Sequence, residues 1–275
     1  MASPPHKVEL DAISEILRQA ALAAGDIALR DFRAGGPTAA KISTKAGGSP
    51  VTDADLAVDA FLKEHLRDRL PNAAWLSEES LDSPLRLNAE DLLIVDPIDG
   101  TRGYIAGDAR WAISIALMRQ GQGLVGIVYA PALGQIWSAA LGQGATLNGS
   151  PLGRSTRGAL HGAAIGGPKP MIAALANAAK VEFVAAPRNP SLALRLVSVA
   201  SGALDIGLAG PNSNDWDIAG ADIILCESGA RLVELGAPPI RYNLPQTKRG
   251  ALLAAPLSLM PEALAAAQYS RGHAA

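Results

Sequence analysis

The chain has 275 residues, 49% of them hydrophobic and 18% charged, with a formal net charge of -2. This length supports one large or two medium domains, and the composition excludes a disordered chain. Basic residues are scattered rather than run together, so neither nucleic acid nor an anionic membrane surface is the expected partner. The single cysteine, Cys226, excludes an intrachain disulfide and fits a reducing, cytoplasmic setting. Its place in Ile223-Ile224-Leu225-Cys226 reads as a small buried apolar side chain. No apolar run reaches the length of a membrane span, and Met1-Ala2-Ser3-Pro4-Pro5-His6 lacks the apolar core of a signal peptide.

Val8 to about Phe32 predicts a long helix, with Leu10, Ile13, Ile16, Leu17, Ala20, Ala21, Ala24, Ile27 and Ala28 at helical spacing. Gly35-Gly36-Pro37 ends it, and Lys41 to Pro50 reads as a loop. A second helix is expected from about Asp53 to Leu70. Thr52 is its N-cap, and Thr52-x-x-Asp55 resembles a capping box with Asp in place of Glu. Asp55 has two readings here, a cap or an outward-facing base on a rigid helix start, and local pattern favours the cap. Ala74-Trp75-Leu76-Ser77 reads as a short strand followed by Glu78-Glu79-Ser80.

The most informative stretch is Leu92-Leu93-Ile94-Val95-Asp96-Pro97-Ile98-Asp99-Gly100-Thr101. Four apolar residues predict a short buried strand, with Asp96 at its end and Pro97 stopping the ladder. Gly100 frees the backbone for a close approach to a ligand. Asp-Gly alone is an ordinary turn pair. Two carboxylates at a strand mouth are costly unless a positive group lies between them, and a hard divalent cation is the simplest such partner. Glu78, at the end of the preceding strand, can join Asp96 at one edge of a sheet.

Beyond Arg102-Gly103-Tyr104 the pattern turns to strands. Trp111 to Met118, Leu124 to Tyr129 and Ile136 to Ala140 are short and β-rich, and Asn148-Gly149 is a turn signal. Tyr104 and Trp111 read as core residues. After about Leu152 strands and helices alternate: strand 163–166, helix 170–179, strand 181–184, helix 192–201, strand 204–209, helix 218–227 and strand 231–234. Glu262 to Gln268 reads as a closing helix with a frayed end. Asp217, in Asn214-Asp215-Trp216-Asp217, stands at a helix start, where an acid is favoured in any case. The expected division is an N-terminal α+β part, 1–150, with two long helices, an antiparallel sheet and most of the acids, and a C-terminal α/β part, 151–275.

Taken together, Pro50-Val51-Thr52-Asp53-Ala54-Asp55, Leu76-Ser77-Glu78-Glu79-Ser80, Asp96-Pro97-Ile98-Asp99-Gly100-Thr101 and Trp216-Asp217-Ile218-Ala219-Gly220 resemble the inositol monophosphatase family over nearly the whole chain. The resemblance implies a layered α-β-α-β-α sandwich and magnesium-dependent, lithium-sensitive hydrolysis of phosphomonoesters. It implies that Glu78, Asp96 and the carbonyl of Ile98 hold one magnesium, and that Asp96, Asp99 and Asp217 hold a second. A third ion commonly shares Glu78. Thr101 and Asp55 match the pair that orients and deprotonates the attacking water. The substrate phosphate is expected against Ile98, Asp99, Gly100, Thr101 and Asp217, and a homodimer is left open.

Two cations between acids and phosphate lower the pKa of bound water and stabilise the leaving oxygen, which suits this residue set. Asp96-x-x-Asp99 is one residue longer than the Asp-x-Asp of haloacid dehalogenase-type phosphatases. Residues two apart share a strand face, and the longer spacing with Pro97 breaks that geometry. Direct attack by water, with no phospho-enzyme, is therefore expected. The runs 99–107, 45–52 and 191–196 look like the 3'(2'),5'-bisphosphate nucleotidase branch, which acts on 3'-phosphoadenosine 5'-phosphate, a by-product of sulfate assimilation. Arg102 or Lys45 is a candidate for the second phosphate, with a solvated surface base as the competing reading. Leu208 to Asn214 contains no acid, which counts against an inositol ring, and no basic or aromatic residue, which leaves a broader sugar-phosphate phosphatase open.

Overall fold

The computed structural model describes residues 6–153, 155 and 157–272, with backbone alone for 270–272. The N-terminal stretch 1–5 and the frayed end expected at 273–275 lie outside the described residues. The elements run α1 (Lys7–Leu29), β1 (Ile42–Thr44), β2 (Pro50–Thr52), α2 (Asp53–Arg69), β3 (Ala74–Ser77), β4 (Asp91–Asp99), α3 (Thr101–Ala106), β5 (Ala112–Arg119) and β6 (Gln122–Ala130). They continue as β7 (Gln135–Ala140), β8 (Gly144–Leu147), β9 (Ser150–Pro151), β10 (Ala164–Gly166), α4 (Lys169–Ala179), β11 (Val184–Ala185), α5 (Leu192–Ala200) and β12 (Ile206–Ala209). The last are α6 (Asp215–Ser228), β13 (Ala230–Glu234), β14 (Leu252–Pro256) and α7 (Met260–Gly272).

A seven-stranded sheet runs β3-β4-β5-β6-β7-β8-β9, with β3 parallel to β4 and the later pairs antiparallel. A five-stranded sheet runs β11-β10-β12-β14-β13. Side chains alternate across β4. Leu93, Val95 and Ile98 pack against α1 and α2, whereas Leu92 and Ile94 join the core formed with α5 and α6. The other side of α5 and α6 meets Ala209, Leu232, Leu252 and Ala254 of the second sheet. Its outer face, with Ile165, Ile206, Leu208 and Leu253, is covered by α4 and α7. The result is the expected α-β-α-β-α sandwich.

Four expectations need correction. The strand expected to stop at Asp96 continues to Asp99, with a register shift between those residues. Pro97 falls in that irregularity, where its missing N–H removes no ladder bond. The loop 41–50 contains β1, paired with β2 as a hairpin. β14 was not foreseen, although it lies between β12 and β13. Cys226 is half-buried, with Asp222 3.9 Å from its sulfur.

The first helix stops at Leu29, so Phe32 can turn onto Tyr104 and Trp111 at ring separations of 5.5 Å. Both partners are fully buried, and the Tyr104 hydroxyl donates to the Ala28 carbonyl at 2.7 Å. They are core residues, as expected. No helix among the described residues is long and apolar enough to cross a membrane.

Candidate active site

Parallel pairing of β3 with β4 puts Leu76 opposite Ile94 and Ser77 opposite Val95, so Glu78 and Asp96 follow at neighbouring positions. Asp96 continues the face of Leu92 and Ile94, towards α6. Asp217 lies in the first turn of α6, where Asn214 N donates to its Oδ2 at 2.6 Å. Carboxylate oxygens of Glu78, Asp96 and Asp217 thus lie within 4.8 Å of one another.

Burial, then the charges of Glu78, Asp99, Asp217 and Asp55, push the Asp96 carboxyl well above its ordinary pKa. Burial, then the charge of Asp99, does the same to Asp217. Asp96 Oδ1 accepts from Ile98 N at 3.1 Å, but its Oδ2 is buried with no hydrogen-bond partner. An orphaned oxygen among converging acids is the environment that a hard cation with oxygen ligands relieves, so these residues fit magnesium.

Asp99 lies outside that trio. Ser191 Oγ and Ala193 N, the latter at 2.6 Å, both donate to its Oδ2 at the start of α5. Burial nevertheless raises its pKa to about 6. Ser191 also accepts from Leu194 N as the N-cap of α5. Its cap role was legible in Ser191-Leu192, but its hold on Asp99 was not.

Asp55 is the cap that the local pattern favoured, and it is buried rather than outward-facing. Its Oδ2 accepts from Thr52 N at 2.8 Å and Thr52 Oγ1 at 2.5 Å, completing the capping box. Its Oδ1 faces the Thr101 hydroxyl at 3.1 Å, and burial raises its pKa. Thr101 Oγ1 is also 3.0 Å from the Ile98 carbonyl oxygen, so one proton serves two acceptors. Gly100, at φ 94°, makes the left-handed turn between Asp99 and Thr101.

Lys45 is not a solvated base. Its Nζ lies 2.7 Å from Glu78 Oε1 and 2.6 Å from Glu79 Oε1. Burial raises the Glu79 carboxyl to about 7 despite that partner. Arg102 is exposed. Arg195, in the run 191–196, is committed to the carbonyls of Leu208 and Asn189, both at 2.9 Å.

A model of the inositol monophosphatase family matches residues 9–271. The chain belongs to the inositol monophosphatase family. Members of this family are metal-dependent phosphatases, typically using magnesium, that hydrolyse phosphomonoesters. One relative is the 3'(2'),5'-bisphosphate nucleotidase CysQ of Aggregatibacter actinomycetemcomitans, 30% identical over 74% of this chain and 78% of that protein. Another is a histidinol-phosphatase of Mycobacterium tuberculosis, 36% identical over 71% of this chain and 78% of that protein. The solved IMPase of Thermotoga maritima superposes with a TM-score of 0.80 over 94% of this chain and 97% of that one, at 21% identity, and so attests the fold alone.

Proposed function

We propose that this family member is a magnesium-dependent 3'(2'),5'-bisphosphate nucleotidase that removes one phosphate from 3'-phosphoadenosine 5'-phosphate by direct attack of water. The observation that carries the chemistry is the meeting of Glu78, Asp96 and Asp217 around a buried, unpartnered oxygen of Asp96. In this reading Glu78, Asp96 and the Ile98 carbonyl hold one ion, and Asp96, Asp99 and Asp217 hold a second, with a third sharing Glu78. The carbonyl has a second lone pair and can keep Thr101 as well. Bound magnesium would neutralise phosphate charge and lower the pKa of water.

The chain's own residues then manage the proton. Thr101 gives its hydroxyl hydrogen to Asp55 Oδ1 and accepts a water hydrogen on its free lone pair. Burial raises the Asp55 pKa, which makes it a better base than a surface carboxylate. The cap bonds to Oδ2 fix the orientation of Oδ1. Ile98, Asp99, Gly100, Thr101 and Asp217 border the phosphate position, and the absence of a Gly100 side chain lets this turn lie against Ser191, where a Cβ would come within 3.3 Å of its backbone.

The substrate assignment is supported by the likeness to a bisphosphate nucleotidase and by the absence of an acid for an inositol hydroxyl in 208–214. The 36% identity to a histidinol-phosphatase supports a second reading, a phosphate ester of a smaller alcohol. Release of phosphate in magnesium from the bisphosphate nucleotide, histidinol phosphate, inositol 1-phosphate and sugar phosphates decides between them. If any of the last three exceeds the nucleotide by about tenfold in kcat/KM, the nucleotidase reading is wrong.

A further inference from the structure

Asp59 lies four residues beyond Asp55 on α2, on the same helix face, and has no part in the chemistry described above. It is buried, at 7% exposure. No ion pair to it occurs among the described residues. Instead, Ser77 Oγ donates to Asp59 Oδ1 at 2.5 Å and Ser80 Oγ donates to Asp59 Oδ2 at 2.6 Å. The two serines bracket Glu78 and Glu79, so one carboxylate ties both ends of the segment that carries them.

The placement follows from the sheet. Leu76 faces the α5–α6 core, so Ser77 faces α2, and Glu78 returns to the side of Asp96. Among the described residues β3 is an edge strand, paired with β4 alone. Past Ser77 the chain leaves the ladder with one further backbone bond, Glu78 N to Val95 O at 3.3 Å. Glu78 stands beside other acids, with its carboxylate oxygen within 4.8 Å of those of Asp96 and Asp217. Lys45 offsets part of the charge in front, but with one backbone bond past Ser77 the segment still needs a hold from behind to fix its place. Asp59 supplies it through two charge-assisted hydrogen bonds, the short and directional kind. Ser77 Oγ also accepts from Glu79 N at 3.4 Å, which extends the tie to the backbone between the acids.

We propose that Asp59 is a positioning residue for the metal centre. By holding Ser77 and Ser80 it sets the Glu78 carboxylate at the spacing from Asp96 and Asp217 that a divalent cation requires. The inference rests on the reading of Glu78 as a metal ligand. Groups that orient ligands from behind contribute about 10–100-fold to metal affinity or activity when removed.

The test is calorimetric titration of magnesium chloride into chelator-treated protein, with thermal midpoints of the metal-free proteins recorded alongside. Asp59→Ala is expected to weaken magnesium binding by about 10–100-fold, with kcat recovered at saturating magnesium. Asp59→Asn keeps one oxygen acceptor, and Ser80→Ala removes one donor, so both are expected to fall between Asp59→Ala and the natural protein. If Asp59→Ala does not fold, these two variants carry the test. Lowered thermal midpoints with unchanged magnesium affinity would make Asp59 purely structural and overturn the proposal. Glu78→Gln serves as the reference. If it weakens binding while the Asp59 and Ser80 variants do not, positioning fails and the ligand reading stands. If it too binds magnesium normally, the ligand reading fails and takes the positioning role with it.

Discussion

Gly126 of β6 and Gly220 of α6 meet backbone to backbone: a Cβ on Gly126 would lie 2.5 Å from the Gly220 carbonyl oxygen. A Cβ on Gly220 would lie 2.7 Å from Ser114 Oγ and 3.0 Å from the Ile127 carbonyl oxygen. Helix α6 therefore rests directly on the sheet, and Asp217 in its first turn is carried down to Asp96. Gly126→Ala or Gly220→Ala is expected to cost about 1–3 kcal/mol and to raise the half-saturating magnesium concentration, because the helix must lift. Gly36→Ala, where the added carbon meets nothing within 4 Å, is the neutral control. Urea unfolding and magnesium titration of the three variants check this, and equal behaviour would refute the close-contact argument.

Asp96 gives a prediction whose sign depends on metal. In chelator its carboxylate is a burden, since burial and like charges oppose ionisation. Asp96→Asn is expected to stabilise the metal-free protein, because the amide has no charge to bury among neighbouring acids. With magnesium the order reverses. The natural protein gains about 2.7 kcal/mol at a concentration of a hundred times Kd, and the variant loses that gain together with turnover. Thermal melts in chelator and in magnesium report both halves, and a variant less stable in both would contradict the charge argument.

Asp222 lies away from the cluster and predicts a pH effect. Burial holds its carboxyl at about 6 although the Tyr242 hydroxyl donates to it at 2.8 Å. The folded state keeps this proton more tightly than the unfolded chain does. Stability is therefore lost as pH rises from about 4 to about 6, and the loss is complete above that. Asp222→Asn retains an acceptor for Tyr242 and is expected to be about 1–3 kcal/mol more stable at pH 7.5. The gain should shrink at pH 5. Urea titrations at the two pH values check it, and a gain independent of pH would assign it to packing instead.

Arg86 is buried at 3% exposure, and its guanidinium binds exposed segments of the chain at Asp82 and at 243–244. It pairs with both oxygens of Asp82 at 2.6 and 2.9 Å and donates to Asn243 Oδ1 and the Leu244 carbonyl, each at 3.0 Å. Asn243 returns a hydrogen bond to the Arg86 carbonyl. An ammonium cannot span this planar set of acceptors. Arg86→Lys is expected to cost about 1–3 kcal/mol because the buried guanidinium fork is replaced by an ammonium that reaches fewer of these partners, with magnesium affinity unchanged. A loss below about 0.5 kcal/mol, the range of ordinary surface changes, would show that the fork is dispensable.

Much of the fold was legible along the chain. The apolar spacing of Leu10 to Ala28, the cap at Thr52 and the alternation after Leu152 are local signals, and they set the helices and most strands. β14 escaped because Leu252-Leu253-Ala254-Ala255-Pro256 carries no marked β pattern, and what makes it a strand is antiparallel pairing with both β12 and β13. The run through Pro97 escaped for a related reason. Whether proline ends a strand or occupies an irregularity depends on the partner strand β5, which lies elsewhere in the chain.

The candidate site divides in the same way. By itself the sequence determined which acids were available and that Asp96, Asp99 and Gly100 stand beside a buried strand. Only the tertiary structure decided that Glu78, Asp96 and Asp217 meet, that Ser191 holds Asp99, that Lys45 sits on Glu78 and Glu79, and that Asp59 holds the serines around them. Residue type and helical or strand period act over a few neighbours, whereas strand register and helix-on-sheet contact set distances between groups far apart in the chain. Carboxylate chemistry depends on those distances, because repulsion and cation binding change steeply over a few ångströms.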